Sequence, residues 1–484
     1  MPYYRLLPNV YLDDDNNKKE PHMAIAATTS DDKANVANIS HWTREQVINF
    51  IPTEANTFPE FDTTQIKPFM DGYDIWDSWM ALDENGNLAS IKGYKVLCAL
   101  GLKHDDDDQI ARIYYFYSQD GHHFLPGGTL FPHRLFHDIQ EWSGSTLLRD
   151  DGMVQTFYTT AMGHTRNGIW QTFQRLATAI QRPSVEEGVL TFSEPVYHAL
   201  LLEPDGVLYQ TVDQADDNEL RMPTLHNRDY GNDQVNNLCF RDPFFFKDPL
   251  TKKNYLLFEA NTGPLYHAEG TVRREYIGSD NSEPNYRPTV DDLKANGCVG
   301  IAEFTDDQYT KVNPLPTILT TNLITDEIER ITLIYRDSAY YLFCVTHGNK
   351  MTIQGDEFVN RDLLLGFRAQ ALFGPYTALN GNGVVIQQKS EGPMYIAQAQ
   401  NTQYVYSWNV LPDLSVLSYA NYSYSESEET SVAIKTVGPC VQLQVTGNTT
   451  EITGIDYAFI PGEPSSTEEQ QNDADADESE EEDW

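Results

Sequence analysis

The sequence predicts an all-β fold. Short runs of β-branched and aromatic residues recur from about residue 73 to about residue 460, and loops rich in Gly, Asp, Asn and Pro separate them. Long amphipathic helical patterns are few. Many short strands in a chain of 484 residues favour a pair of β-sandwiches or a β-propeller. A clean repeat of roughly 40 to 50 residues, which would decide for the propeller, is not visible.

The elements follow one another in a simple order. Residues 1–40 are polar and charge-rich and predict a loose N-terminal arm. A helix start is indicated in SHWTREQVINFI, where Ser40 precedes Thr43 and Glu45 and Gln46 fall in the first turn. The runs that predict strands most clearly are YKVLCALGL, ARIYYFYS, MVQTFYTT, NYLLFEA, ITLIYRDSAYYLFCV and YVYSWNVL.

The C-terminal end is an acidic tail. Ten of the sixteen residues from Glu468 to Asp483 are acidic and none is basic. Such a segment has too little apolar surface to fold, so residues 464–484 are expected to be disordered. Solubility or salt adaptation explains the tail most simply, and a partner-binding role is the alternative.

Charge excludes several classes of partner. The chain carries 33 Lys and Arg against 72 Asp and Glu, a net charge of -39. This surface repels nucleic acid and anionic membranes. It is compatible with a neutral substrate, bound cations or a salty medium. No apolar run is long enough to span a bilayer, and MPYYRLLPNVYLDDDNNKK lacks the apolar region of a Sec signal.

The five cysteines argue against a metal-binding or redox motif. They are Cys98, Cys239, Cys298, Cys344 and Cys440, and no C-x-x-C pair occurs. The odd number does not suit a disulfide framework. Cys98, Cys239 and Cys344 lie in apolar runs and are expected to be buried free thiols.

Three segments place a carboxylate among aromatic or basic side chains: DIWDSWMALD around Asp77, LCFRDPFFF around Asp242 and TDEIERITLIY around Glu329. Cleaving a glycosidic acetal requires one carboxylate as nucleophile and one protonated carboxyl as acid. Burial and the like charges in D-E-x-E raise the pKa of such an acid. Taken singly, the segments are also typical of turns or of a solvated helix start. Residue types alone therefore indicate only a possible glycosidase.

The order of these segments among further motifs is more specific. PEFDTTQIK, IWDSW, EWSGS at 141–145, FRDP, FEANTG, ANG, TDEIER and HGNKMT occur in sequence, followed by YVYSWNVLP. Together they resemble the levansucrase/inulosucrase family, glycoside hydrolase family 68, over about four-fifths of the chain. The resemblance implies a five-bladed β-propeller over residues 41–463 with a funnel-shaped central pocket. It also implies a secreted, monomeric protein without organic cofactor that transfers fructosyl groups from sucrose to fructan, sucrose or water.

By the same resemblance, Asp77 is expected to be the nucleophile, Glu329 the acid/base and Asp242 the stabiliser of the transition state. Residues expected to line the fructosyl subsite are Trp76, Trp142, Ser143 and Arg241. Glu327 and Arg330 are expected on the glucosyl side, with Glu259 behind the wall and Tyr406 orienting the carboxylates. His347 stands where many polymer-forming members carry Arg, and we expect it to shift products toward short oligosaccharides.

The TDEIER form also implies a structural Ca²⁺ ion. The matching ligands are the side chains of Asn236, Glu269, Asn296 and Asp326 and the backbone carbonyl of Lys294, an all-oxygen set that suits Ca²⁺. Asn236 stands where Asp is typical, and Glu269 stands where Gln is typical. An acidic corner without metal is the alternative.

Three functions remain open at this point. A levansucrase-like fructosyltransferase is favoured. The alternative is an enzyme on the same fold that is either an inulosucrase with β-2,1 linkage or a sucrose or fructan hydrolase. A non-catalytic sugar-binding propeller would require a broken set of carboxylates, and all three are present. The linkage is not predicted, because acceptor loops determine it.

Overall fold

The computed structural model describes residues 39–104, 110–136, 139–166, 169–215, 238–264, 274–279, 281–288, 290–353, 361–389 and 401–462. Within these residues the chain forms five main sheets arranged as a five-bladed β-propeller. The all-β prediction is confirmed. Of the two architectures that the strand pattern left open, the propeller is the one that forms.

Each blade runs from an innermost strand, named first, to its outer strands. Blade 1 contains β2 (Tyr73–Met80), β4 (Lys95–Lys103), β5 (Arg112–Ser118), β6 (His123–Thr129) and β29 (Ile460–Pro461). Blade 2 contains β7 (Gln140–Leu148), β8 (Val154–Arg166), β9 (Ile169–Gln181) and β12 (Tyr197–Leu202), with β3 (Leu82–Asp83) parallel to β7. Blade 3 contains β13 (Phe240–Lys247), β14 (Asn254–Asn261), β15 (Gly297–Phe304), β16 (Val312–Thr320) and β1 (Ser40–His41).

The strands of blades 4 and 5 also run from the innermost strand outward. Blade 4 contains β17 (Glu329–Arg336), β18 (Ala339–His347) and β19 (Arg361–Ala369), with β20 (Thr377–Ala378) and β21 (Val384–Lys389) both paired to β19. Blade 5 contains β22 (Val405–Val410), β23 (Ser415–Ala420), β27 (Cys440–Thr446) and β28 (Thr449–Asp456), with β26 (Thr436–Val437) beside β23. Two small ribbons pair β10 (Pro183–Glu186) with β11 (Val189–Phe192) and β24 (Ser423–Ser425) with β25 (Thr430–Val432).

Helices are short. Among the described residues, the α-helices with both ends defined are α1 (Arg44–Ile48) and α2 (Val290–Lys294), and residues 212–215 are also α-helical. The 3₁₀ turns cover Glu54–Asn56, Thr63–Gln65, Arg274–Tyr276, Gly348–Lys350 and Leu379–Gly381. The predicted helix start is present, but its N-cap is Thr43: the Thr43 side chain accepts from Gln46 N, and the Gln46 side chain accepts from Thr43 N. Ser40 lies in β1 instead. No helix among the described residues is long and apolar enough to cross a membrane.

The innermost strands form a closed ring. β2 contacts β7, β7 contacts β13, β13 contacts β17, β17 contacts β22, and β22 contacts β2 again. Side chains at matching heights of these five strands therefore face one central axis.

Both ends of the described chain are attached to blades. β1 pairs in parallel with β16, and β29 pairs in parallel with β6. These pairs add an outer strand to blades 3 and 1. The expected arm, apart from residues 39 and 40, and the expected tail lie outside the described residues.

The core lies between the blades. Strands there are buried on both faces, which is why runs such as KVLCALGL are apolar throughout rather than alternating. Trp42 and Trp408 are fully buried in the two largest clusters. All five cysteines are buried and free, as expected for the three that the sequence singled out.

Candidate active site

Each innermost strand is interrupted by a β-bulge at the same height. The register shifts by one residue immediately after five positions, which are Trp76, Trp142, Arg241, Glu329 and Tyr406. A bulge bends the strand and redirects the next side chain. The five bulges therefore turn one residue of every blade toward the axis.

The backbone at four of these bulges is left-handed. Asp77, Asp242, Arg330 and Ser407 have φ values of 46°, 57°, 57° and 58°. A residue other than glycine rarely adopts this conformation, and such residues cluster at functional sites. The fifth bulge, in β7, contains Ser143 and Gly144, and a Cβ on Gly144 would lie 1.9 Å from the Phe157 carbonyl oxygen. EWSGS thus needs its glycine for the close approach of β8.

The three candidate carboxylates meet at this level. Asp77 comes from β2, Asp242 from β13 and Glu329 from β17. Taken singly, the three segments were also typical of a turn or a solvated helix start. In the structure each carboxylate lies on an innermost strand instead. The fold therefore brings together the set that the sequence selected.

Asp242 is rigidly held. The Ser143 hydroxyl donates to its Oδ1 at 2.5 Å, and the Arg330 backbone N–H donates to its Oδ2 at 3.0 Å. Its own N–H donates to Thr159 Oγ1 at 2.9 Å. Asp242 is 6% exposed. A buried carboxylate with both oxygens engaged has a fixed orientation, as an electrostatic stabiliser requires.

Glu329 is held by two neighbours. The Tyr406 hydroxyl donates to its Oε2 at 2.7 Å, and an Arg241 Nη donates to its Oε1 at 2.9 Å. The same guanidinium donates through Nε to Glu259 Oε2 at 2.7 Å. Glu259 is fully buried and also accepts from Ile328 N–H. It therefore acts on the pocket through Arg241.

The carboxyl groups have different proton affinities. Burial and the charge of Glu327 raise the pKa of Glu329 to about 7, against the opposing Arg241 and His347. Burial and Asp242 raise the pKa of Asp77, while Arg330 and the Ser407 hydroxyl oppose this rise. Burial would raise the pKa of Glu327, but Lys350, His347 and Arg241 together lower it. Glu329 is thus suited to hold a proton near neutrality while Glu327 remains ionised.

Arg330 reaches from blade 4 to the backbone of blade 1. Its guanidinium donates to the carbonyl oxygens of Asp77 and Ser78, and it is 4% exposed. The side chain therefore extends from blade 4 to β2, and its place on the glucosyl side stays a prediction. Its contacts fix the backbone that carries Asp77.

Trp76 and Trp142 immediately precede the residues turned inward by two of the bulges. Trp76 and Trp142 are each half-buried at the bulges of β2 and β7. Trp142 Nε1 donates to Gln140 Oε1 at 2.8 Å. Partly exposed indole faces can pack on the apolar face of a sugar ring.

Glu327, Glu329 and His347 form a cluster of titratable side chains. One ligating atom from each lies within 4.8 Å of the others. Arg241 is paired with both glutamates, and the Tyr406 hydroxyl donates to Glu329, so these side chains are joined by hydrogen bonds and ion pairs. The expected calcium ligands lie elsewhere.

Three of those five ligands are described. Lys294, Asn296 and Asp326 are buried, and Asn261 Nδ2 donates both to Asn296 Oδ1 at 3.0 Å and to the Asp326 carbonyl at 2.9 Å. The Asn296 side chain and the Asp326 backbone carbonyl therefore lie close together around the Asn261 amide. Asn236 and Glu269 lie outside the described residues. The described part supplies hard oxygen donors and a fully buried carboxylate, which fits Ca²⁺.

The sequence interpretation missed Ser407, Thr159 and Asp362. Ser407 occupies the bulge of blade 5 and is 2% exposed. It occupies the place in blade 5 that Asp77 and Asp242 occupy in their blades. Because the blades differ in length, these equivalent positions do not recur at a constant spacing in the sequence. Asp362 contacts the His347 ring from the neighbouring strand.

Comparison with known proteins agrees with this geometry. The sequence profile of the family described as levansucrase/invertase matches residues 30–461. The chain belongs to glycoside hydrolase family 68. An extracellular sucrase of Zymomonas mobilis is 31% identical over 442 residues, covering 88% of this chain and 95% of that protein.

Solved structures of family 68 proteins share the fold. The crystal structure of Bacillus subtilis levansucrase matches with a TM-score of 0.69 and 26% identity, covering 88% of this chain and 98% of that one. An inulosucrase from Halalkalicoccus jeotgali bound to kestose matches with a TM-score of 0.66 and 27% identity, covering 88% and 99%. The resemblance recognised in the motifs and the five-bladed fold are confirmed.

Proposed function

We propose that this family 68 enzyme is a sucrose-dependent fructosyltransferase that works by a retaining double displacement. The observation that carries the proposal is the meeting of Asp77, Asp242 and Glu329 at the bulges of three innermost strands. Burial and the neighbouring Glu327 raise the pKa of Glu329 to about 7. A carboxyl that holds a proton near neutrality suits the acid of a glycosidase, and Asp77 and Asp242 are then the nucleophile and the stabiliser.

The first displacement cleaves sucrose. Glu329 donates its proton to the glycosidic oxygen while Asp77 Oδ attacks C2 of the fructosyl group from the opposite face. The C2–O bond breaks, glucose leaves, and an ester joins Asp77 to fructose. Asp242 stabilises the positive charge that develops on the ring, and its fixed orientation avoids a reorganisation cost.

The second displacement releases the fructosyl group. Glu329, now ionised, accepts the proton of an acceptor hydroxyl, whose oxygen attacks C2 and breaks the ester. Water gives hydrolysis, and sucrose or a fructan chain gives transfer. Configuration at C2 is retained because it is inverted twice. Trp76 and Trp142 would hold the fructosyl ring, and Glu327 and His347 the glucosyl or acceptor side.

Product analysis at high sucrose tests the function. Hydrolysis releases glucose and free fructose equally, whereas transfer releases glucose in excess. We expect glucose well above free fructose, together with fructose-containing oligosaccharides or polymer. Equal amounts of glucose and free fructose at all sucrose concentrations would indicate a hydrolase on the same fold. If sucrose is not consumed, both the transferase and the hydrolase are refuted.

The pH profile follows from Glu329. The first step needs this carboxyl protonated, and its pKa is about 7. We expect kcat/KM for sucrose to fall about tenfold per pH unit well above pH 7. On the acid side, the rate falls as Asp77 becomes protonated. A rate that stays constant from pH 6 to pH 9 would contradict the assignment of Glu329.

A structural Ca²⁺ ion is part of the proposal. Lys294, Asn296 and Asp326, with Asn236 and Glu269, would hold it beside the strand that begins at Glu329. Chelation is expected to lower Tm by roughly 2–5 °C, since a ligand bound only to the folded state stabilises it. Calcium, but not magnesium, should restore Tm. An Asp326→Asn variant that keeps the full response to chelation would contradict this site.

A levansucrase-like fructosyltransferase is the proposed activity, and an inulosucrase with β-2,1 linkage is the alternative that linkage analysis of the product distinguishes. His347 is proposed to favour short products. Secretion and a monomeric state are proposed from the family resemblance.

A further inference from the structure

Asp362 lies directly opposite His347 on the neighbouring strand of blade 4. The two residues are register partners in the β18–β19 pair. Asp362 Oδ1 is 2.8 Å from His347 Nδ1, and its Oδ2 accepts from the Tyr404 hydroxyl at 2.6 Å. Asp362 is 3% exposed and Tyr404 is fully buried. Both oxygens of this buried carboxylate are thus engaged.

The other side of the imidazole faces the catalytic cluster. The His347 ring stacks on Tyr406, with centroids 3.9 Å apart and an interplanar angle of 19°. The Tyr406 hydroxyl donates to Glu329 Oε2 at 2.7 Å. His347 therefore lies between a buried carboxylate and the residue that holds the acid/base.

We propose that Asp362 is a positioning residue for the leaving-group and acceptor side of the pocket, which it controls by fixing the imidazole of His347 through Nδ1. The inference rests on the proposed fructosyltransferase function. With Nδ1 engaged by Asp362 and one face covered by Tyr406, only Nε2 is left for a sugar hydroxyl. Neither the ring angle nor the hydrogen-bonding nitrogen can then vary.

Charge supports the same role. The charged or titratable groups beside His347 include Asp362, Glu327, Glu329 and Tyr406, and Tyr404 lies behind Asp362. Burial would lower the pKa of His347, but Asp362 and the two glutamates raise it to about 9. Imidazolium at neutral pH offers an N–H donor at Nε2, and a cation there strengthens a hydrogen bond to a glucosyl or acceptor oxygen.

Asp362→Asn tests the inference. The amide keeps the shape and can still accept from Tyr404, but it removes the negative charge beside His347. We expect kcat/KM for sucrose to fall about tenfold, mainly through KM, as for the loss of a charged hydrogen-bond partner. The share of transfer over hydrolysis should also fall. Hydrolysis of fructosyl fluoride, whose leaving group is not a sugar, should stay within about twofold.

A second readout follows His347 directly. Histidine NMR should show its titration moving from about pH 9 in the parent toward the ordinary value in Asp362→Asn. Asp248→Asn is the matched control, because Asp248 is also buried and accepts from a tyrosine hydroxyl, Tyr340, at 2.6 Å. It follows the far end of β13 and should leave KM and the product ratio unchanged.

The outcomes separate this inference from the proposed function. Unchanged KM, product ratio and His347 titration in Asp362→Asn would overturn the inference. Equal losses with sucrose and fructosyl fluoride would indicate a merely structural role and would overturn it too. A parent enzyme that does not consume sucrose would refute the proposed function, whereas the His347 titration would still report on the Asp362 contact.

Discussion

Replacing Asp77 by Asn is expected to lower kcat for sucrose by roughly 10⁴-fold or more while the protein stays folded. The amide cannot form the ester with C2 that the double displacement requires. The fold should tolerate the change, because Asn adopts left-handed backbone more readily than most residues and Asp77 has φ of 46°. A neutral amide is also easier to bury than a carboxylate.

The measurement is the initial rate of glucose release together with Tm and sucrose binding by calorimetry. Asp337→Asn is the matched control: Asp337 has φ of 49°, and its side chain is 78% exposed in the β17–β18 turn. The control should keep parental activity. Activity of Asp77→Asn within tenfold of the parent would reject Asp77 as nucleophile.

Glu329→Gln is expected to lower kcat for sucrose about 10³-fold, since the glycosidic oxygen loses its proton donor. Fluoride leaves without protonation, so the first displacement from fructosyl fluoride should be much less affected. The second displacement lacks its base and stays slow. We therefore expect a burst of fluoride followed by a slow steady state.

Mass spectrometry checks this prediction, because the fructosyl-enzyme should accumulate as an ester on Asp77. The alkaline limb of the pH profile should also disappear with the titrating carboxyl. Glu303→Gln, which changes a glutamate paired with Lys253 on the surface, serves as control. Equal losses with sucrose and fructosyl fluoride, without a burst, would contradict the acid/base role.

Much of the site could be predicted because its carboxylates lie in short contiguous segments of the sequence. TDEIER, FRDP and IWDSW each keep a carboxylate beside its neighbours along the chain, and these segments lie on innermost strands. The short apolar runs likewise predicted the strands, because a strand buried between blades needs apolar residues on both faces.

Other parts of the site depend on residues distant in the sequence. Ser407 faces Asp77 from another blade, and Asp362 meets His347 across a strand pair. Neither carries a local signal, since a Ser after Tyr or an Asp before a leucine run is common. Arg330 donates to the backbone carbonyls of Asp77 and Ser78 in another blade, a contact that no local pattern in the sequence indicates.

The sequence by itself determined the residue types, the strand-rich texture and the family to which the carboxylates belong. The tertiary structure decided which side chains share the axis, because a bulge in every innermost strand turns one residue inward. It also decided their proton affinities. Burial and like charge act through space, so the pKa of Glu329 at about 7 depends on Glu327 and Arg241 at their positions in the folded chain.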